Sequence, residues 1–173
     1  DPTQFFESVA ALHRAGLLSP DKLCLRFRAP THDALILDLA KRSGIEAYVE
    51  CAPAIPYREA LAEMLRADAL LVMQGANCNE QIPAKLYEYL RAGRPILGLA
   101  DPDGDTGRTL TGLGYTMVTP LESADAIADA LPAFLDALRT GALPVAQPSV
   151  VARYSRRALT ARFAALLDQV TGT

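Results

Sequence analysis

The fold of this chain is decided by the stretch Pro83-Ala84-Lys85-Leu86-Tyr87-Glu88-Tyr89-Leu90-Arg91-Ala92-Gly93-Arg94-Pro95. Proline at its start predicts the first turn of a helix, and Gly93 predicts the end of that helix. The apolar run Ile96-Leu97-Gly98-Leu99 that follows predicts a buried strand. A helix that starts beyond the end of one strand and leads into the next is where open α/β sheets bind phosphorylated ligands.

Helical and strand-like segments alternate along the 173 residues. Strands are predicted at 23–27, 46–51, 69–73, 95–99 and 115–118. Helices are predicted at 3–15, from 31 or 33 to 41, and at 57–66, 83–92, 106–111, 123–139 and 155–170. Pro132 lies inside the helix at 123–139 and is expected to kink or split it. This alternation predicts an α/β fold with a Rossmann-like, doubly wound parallel sheet.

The composition argues against several classes of protein. The net charge is −3 and the pI is about 5.4, so the chain has no basic footprint for nucleic acid. No apolar run reaches the roughly 18 residues that a transmembrane helix requires. The cysteines Cys24, Cys51 and Cys78 and the two histidines are too few and too scattered to predict disulfides or a metal site.

The start of the chain carries a further expectation. Asp1-Pro2-Thr3 already has the character of a helix cap and first turn. The strand that should precede the first helix is therefore expected to be missing, and we expect the chain to begin inside a larger protein.

The helix predicted at Pro83 has the physical properties of an anion site. Its first free N–H groups, around Ala84 to Leu86, carry the positive end of the helix dipole. Lys85 adds a positive charge, and Glu88, about one turn further along, can accept hydrogen bonds from sugar hydroxyls. The alternative is an ordinary surface helix on which Lys85 and Glu88 form a solvated i,i+3 pair.

The segment from Ile82 to Ile96 resembles the Pro-x-Lys-x-x-Glu-Tyr signature, with its following Gly-x-Pro, of GT-B glycosyltransferases. It is similar to the C-terminal, nucleotide-sugar-binding domain of group 1 (retaining) members, and the likeness extends along nearly the whole chain. Supporting matches are Ala67-Asp68-Ala69-Leu70-Leu71-Val72 and Tyr154-Ser155-Arg156-Arg157. The resemblance implies one Rossmann-like domain over residues 1–173, half of a GT-B fold, with the acceptor-binding N-terminal domain absent from this chain.

The resemblance also implies roles for individual residues. Glu88 would bind the ribose of the donor, and Glu80 would lie near the donor sugar as the catalytic candidate, with the family's spacing of seven residues between them. The loop at Ile55-Pro56 would contact the base through backbone groups, and a plain turn at a helix start is the alternative. Thr106 would cap a helix or reach a phosphate. Where the family has glycines after its first glutamate, this chain has Gln81-Ile82-Pro83.

For function, the resemblance implies transfer of a sugar from a nucleotide-diphosphate-sugar donor to an acceptor, in bacterial polysaccharide or glycoconjugate synthesis. No cofactor or metal is expected beyond the donor. The protein would be cytoplasmic, or lie at the inner face of the membrane through its N-terminal domain. Two alternatives stay open: a GT-B-fold nucleotide-sugar epimerase, and a non-catalytic, flavodoxin-like interaction module.

Overall fold

Helices and strands alternate in the computed structural model, which describes residues 1–172. The helices are α1 (Thr3–Arg14), α2 (Asp33–Ser43), α3 (Tyr57–Arg66), α4 (Ala84–Ala92), α5 (Asp105–Gly112), α6 (Ala124–Arg139), α7 (Pro148–Val151) and α8 (Arg156–Thr171). The strands are β1 (Leu25–Arg28), β2 (Val49–Ala52), β3 (Leu70–Met73), β4 (Ile96–Leu99) and β5 (Val118–Thr119). All strand pairs are parallel, which confirms the α/β class and the Rossmann-like alternation predicted from the sequence.

The described strands form two parallel sheets, one of β1 and β2 and one of β3, β4 and β5 in that order. In the smaller sheet Phe27 lies opposite Cys51, and in the larger sheet Val72 lies opposite Gly98. The sheet is therefore interrupted between β1 and β3, a break that the alternation of segments did not predict.

Both faces of the larger sheet are covered by helices. One face contributes to a core with α1, α2 and α6, whose buried members include Phe6, Val9, Leu99, Ile127 and Phe134. The other face packs against α4 and α5 through a second set of buried side chains: Leu70, Val72, Leu86, Leu90, Ile96 and Leu110. All four residues of β4 are buried, as its uninterrupted apolar run predicts.

Two strands begin three residues after their predicted starts. The strand predicted at 46–51 begins only at Val49, because Glu46–Tyr48 forms a 3₁₀ turn that buries Tyr48. The strand predicted at 115–118 pairs only at Val118–Thr119, since Tyr115 turns into the core, where its hydroxyl accepts from the Ala146 N–H at 3.3 Å.

The helix α6 runs unbroken through Pro132, so the split that was expected there does not occur. Ile127, Leu131 and Phe134 are buried before and after the proline. Their packing against α1 stabilises both halves of the helix and offsets the backbone hydrogen bond that proline cannot make.

The last helix, α8, begins and ends one residue later than predicted, and it buries none of its residues. Its apolar side chains Leu159, Phe163, Leu166, Leu167 and Val170 are exposed. Across residues 1–172 the structure holds no helix of the length and apolarity that crossing a bilayer demands.

Candidate functional site

Side-chain hydrogen bonds join the loops that follow β3 and β4 at the edge where the strands end, here called the carboxyl edge. Gln74, the first residue after β3, donates from its amide to the carbonyls of Cys78 and Gln81, the second at 2.8 Å. The hydroxyl of Thr106 lies 2.5 Å from Gln74 Oε1 and 3.0 Å from the Gln81 carbonyl. These contacts hold residues 74–81 against the start of α5.

Thr106 therefore has a structural role that neither sequence-based expectation described. It lies at the second position of α5, whose N-cap is Gly104, and no side chain caps this helix. The prediction that Thr106 caps the helix is wrong, because the loop after β3 folds across α5 and takes up the hydroxyl. Only 2% of Thr106 is exposed, which leaves no free hydroxyl for the predicted phosphate contact.

Further hydrogen bonds connect three loops of the carboxyl edge. The Asn79 carbonyl accepts from the Asp105 N–H at 2.7 Å, and the Asn79 amide donates to Asp101 Oδ2. From the loop after β5, Glu122 Oε1 accepts from the Ala76 N–H at 2.9 Å. Because each contact joins residues from different loops, the loops after β3, β4 and β5 form one cross-linked wall.

The start of α4 is open to an anion. Pro83 is the N-cap, no side chain caps the helix, and Ala84 and Lys85 are exposed. Lys85 forms no ion pair with any residue in the described part of the chain. Leu86 is different, because its side chain is fully buried and its N–H donates to the Pro83 carbonyl at 2.9 Å. Of the three N–H groups predicted to face a ligand, those of Ala84 and Lys85 are the ones left for it.

Glu88 lies against the start of α3. The Tyr57 hydroxyl donates to Glu88 Oε1 at 3.3 Å, although the two residues are 31 positions apart. Tyr57 is the first residue of α3 and is 65% exposed. The half-buried Ile55 lies two residues before it, in the loop that follows β2. The structure thus brings the predicted ribose-binding acid close to the loop predicted to contact the base.

Glu80 lies in the loop between β3 and α4 and is exposed. Within residues 1–172 it has no hydrogen bond or ion pair. Arg108, a second cation near the carboxyl edge, is already engaged: its Nη2 lies 2.7 Å from Asp105 Oδ1, and its Nη1 donates to the Asp103 carbonyl. Lys85 lies five residues after Glu80 and three before Glu88, and it has no ion pair within residues 1–172.

A groove of about 500 Å³ lies between the loop that leads into α4, the helix α5 and Tyr154. It is lined by Ile82, Asp105, Arg108, Thr109, Gly112 and Tyr154. The Tyr154 ring also packs against Tyr87 of α4, with ring centroids 5.7 Å apart. Neither Lys85 nor Glu88 lines this groove, and both residues are exposed.

The charge of Glu88 also acts on its neighbour in the helix. Burial raises the pKa of the Tyr89 phenol, and the negative charge of Glu88 raises it further. Tyr89 therefore stays neutral at physiological pH and packs against the core beneath α4.

The sequence did not single out three residues that shape this site: Tyr57, Gln74 and Asn79. Tyr57 follows Ile55-Pro56 directly at a helix start, which places its side chain at the carboxyl edge of a parallel sheet. Gln74 is the first polar residue after the apolar run of β3. Such a position is a detectable signal, since loops beyond buried parallel strands carry the ligand contacts of open α/β folds.

No protein-family model matches the chain, and no curated protein matches it significantly.

Proposed function

We propose that this chain binds the nucleotide-diphosphate-sugar donor of a glycosyltransferase at its carboxyl edge. The observation that carries the proposal is the placement of Glu88 against Tyr57, on the same helix face as the unpaired Lys85. A carboxylate, a phenol and a lysine beside an uncapped helix start provide acceptors for sugar hydroxyls and donors for phosphate oxygens.

Each part of the donor has a candidate partner in this arrangement. Glu88 accepts hydrogen bonds from the ribose hydroxyls, and Tyr57 orients the carboxylate. The N–H groups of Ala84 and Lys85, with the Lys85 ammonium, bind the diphosphate. Backbone groups at Ile55 contact the base.

Glu80 is the proposed catalytic candidate at the transferred sugar. Its exposed position in the loop before α4 leaves its carboxylate free to meet a ligand. Two carboxylates beside a diphosphate repel it, so the charge of Lys85 is needed to offset Glu80 and Glu88.

The ribose role is tested by calorimetric titration with UDP, GDP and ADP. One of these nucleotides is expected to bind, and Glu88→Ala is expected to weaken that binding by roughly tenfold, the loss of about one hydrogen bond to a charged group. Glu7→Ala, at an exposed position on α1, is the control and should leave the affinity unchanged. Equal affinities of Glu88→Ala and the parent chain would contradict the ribose role.

The diphosphate role is tested by comparing a nucleoside with its diphosphate. Lys85→Ala is expected to weaken binding of the diphosphate by roughly tenfold and to leave binding of the nucleoside unchanged, because only the diphosphate contacts the ammonium. Lys41→Ala, which removes an exposed lysine from the end of α2, serves as the matched control. Equal losses for nucleoside and diphosphate would show that Lys85 acts through the fold instead.

The two alternatives give different results in the same assays. A folded chain that binds none of the three nucleotides would support the interaction module. Where a nucleotide binds, the products formed by the full-length protein with and without acceptor separate sugar transfer from epimerisation. The chain of residues 1–173 by itself is expected to transfer nothing, and robust transfer by it would contradict the proposed division into donor and acceptor domains.

A further inference from the structure

The helix α8 carries an apolar stripe that the rest of the described chain leaves exposed. Its members recur at intervals of three and four residues, which places them on one side of the helix. They are Leu159, Phe163, Leu166, Leu167 and Val170, and between 41% and 78% of each residue is exposed. A contiguous apolar surface of this kind is typical of a site that contacts a partner.

The ends of α8 are fixed by residues next to the helix. The Ser155 hydroxyl accepts from the Ala158 N–H at 3.2 Å, and Gly172 ends the helix with a left-handed φ of 72°. Just before the helix, the Tyr154 ring packs against Tyr87 of α4. The helix is therefore attached to the domain at its start, while its apolar stripe stays exposed to a second surface.

Unpaired arginines accompany the apolar stripe. Arg156 lies three residues before Leu159 and Arg162 three residues after it, so both border the stripe. Arg153 and Arg157 are exposed at the same end of the helix. None of these four arginines forms an ion pair with a residue in the range 1–172. Their charges are therefore available to an external anion.

The charge of the chain is divided between α8 and the rest. Residues 153–173 hold four of the 17 basic residues and one of the 20 acidic residues, so this segment carries a charge of +3. Residues 1–152 hold the other 13 basic and 19 acidic residues and carry −6. An extended anionic surface would attract α8 and repel the remainder, and would therefore orient the molecule with α8 toward that surface.

A second copy of the chain matches the stripe poorly. Asp168 is the one acid of α8, and it lies two residues from both Leu166 and Val170. That spacing places Asp168 on the side of the helix away from the stripe. Two copies packed stripe to stripe would bring their bordering arginines together without an acid beside them. The partner must therefore supply the negative charge.

The chemistry of the stripe favours a lipid surface over an acidic protein. Four of its side chains are aliphatic and the fifth is a phenyl ring, so none of them can donate or accept a hydrogen bond. Protein interfaces rely on directional anchors such as Tyr and Trp in fitted pockets. The boundary between headgroups and acyl chains requires only apolar area and, for anionic lipids, basic side chains beside it.

We propose that α8 lies in the plane of an anionic lipid bilayer and attaches the domain to its surface. The apolar stripe enters the outer part of the acyl-chain region, and Arg156, Arg157 and Arg162 pair with lipid phosphates. The 16 residues of α8 provide a contact about 24 Å long. The resemblance places membrane contact in an N-terminal domain, whereas this site lies on the described chain itself.

The test is co-sedimentation of the chain of residues 1–173 with lipid vesicles. One kind of vesicle contains equal parts of phosphatidylglycerol and phosphatidylcholine, and the other contains phosphatidylcholine alone. The partition coefficient is expected to be at least about tenfold larger for the anionic vesicles. It should fall as the salt concentration rises, because salt screens the arginines from the phosphates.

Two matched pairs of variants assign the binding to α8. Phe163→Ser is expected to lower partitioning into anionic vesicles by roughly tenfold, since the phenyl ring no longer enters the acyl-chain region. Leu17→Ser is its control, at a residue that is 66% exposed in the turn after α1. Arg162→Gln is expected to lower partitioning by about fivefold. Arg14→Gln removes the same charge from the exposed end of α1 and should leave partitioning unchanged.

Partitioning that is absent, or equal for the two kinds of vesicle, would overturn the proposal. Equal losses within either matched pair would do the same, because the binding would then not depend on α8. A dimer in sedimentation that Phe163→Ser abolishes, without vesicle binding, would assign the stripe to a second copy instead. Because no nucleotide takes part, these outcomes are independent of the proposed donor binding.

Discussion

At the residue scale, Gly107 is the position where the backbone comes closest to a neighbouring loop. A Cβ at Gly107 would lie 2.2 Å from the Asp101 carbonyl oxygen and 2.7 Å from Pro102 Cα. Both contacts are with backbone, which cannot move aside as a flexible side chain can. Glycine at this position lets the first turn of α5 rest directly on the loop after β4.

Gly107→Ala is therefore expected to lower the free energy of unfolding by about 1–3 kcal/mol, the usual range for overpacking. Urea denaturation followed by circular dichroism measures the change. Gly112→Ala in the same helix is the control: its Cβ would meet nothing within 4 Å, so stability should stay level or rise slightly. Equal free energies of unfolding for the two variants would show that the close approach of the backbone at Gly107 does not affect stability.

Prediction at this scale depended on how far each residue's partners lie along the chain. The helix start at Pro83 and the exposure of Lys85 follow from the local pattern, and the structure agrees with both. The partners of Thr106 are Gln74, 32 positions away, and Gln81, 25 positions away. A local pattern holds no information about such contacts, so the sequence suggested a helix cap instead.

At the scale of elements, an ion-pair cluster attaches α3 to β1. Arg28 Nε donates to Glu63 Oε1 at 3.0 Å, and Arg28 Nη2 pairs with Glu63 Oε2. Arg26 Nη1 adds a longer contact to Glu63 Oε2 at 3.8 Å. The hydrogen bond from Arg28 lowers the pKa of Glu63, and the charges of Arg28 and Arg26 lower it further.

This lowered pKa gives the cluster a pH-dependent contribution to stability. The contribution is fully present above the unfolded glutamate pKa of about 4.3, and it is lost as the pH falls through the lowered pKa of the folded state. Glu63→Gln is expected to be less stable than the parent chain at pH 7 and to converge with it in that acid range. Urea denaturation between pH 7 and pH 3 measures the difference.

Glu59→Gln provides the comparison on the same helix, at an exposed position. It forms no ion pair with any other described residue, so its difference from the parent chain should be small at every pH tested. A gap between Glu63→Gln and the parent chain that stayed constant down to pH 3 would contradict the ion-pair explanation.

Most element types followed from the sequence because apolar periodicity is a local property of the chain. The apolar run 96–99 predicted β4, and the helical spacing of Ala60, Leu61 and Met64 predicted α3. Element ends were less predictable. Tyr48 and Tyr115 occupy apolar runs but turn into the core, and only packing decides where such residues leave the strand.

At the scale of the whole molecule, α8 is the element least tied to the rest. It buries none of its residues, whereas the preceding segment contributes Ala146 to the core and Tyr154 to the contact with α4. Helix formation alone contributes little stability in water when no apolar face is packed.

Ending the chain after Ser155 is therefore expected to change the free energy of unfolding of the remaining residues by less than about 1 kcal/mol. Thermal and urea unfolding of the two chains measure this. Ending the chain after Thr140 instead removes Ala146 and Tyr154 and should destabilise clearly. A loss of several kcal/mol on removing α8 alone would show that it packs against the domain in solution.

The sequence by itself determined the α/β class, the parallel alternation and the helix that carries Lys85 and Glu88. These properties depend on residues within a few positions of each other, through periodicity, proline and glycine. Only the tertiary structure decided that Tyr57 meets Glu88, that Thr106 joins two loops, and that the sheet is broken between β1 and β3. Each of these depends on whether hydrogen bonds form between segments that are far apart in the chain. The packing of the helices against the strands decides which of these hydrogen bonds form.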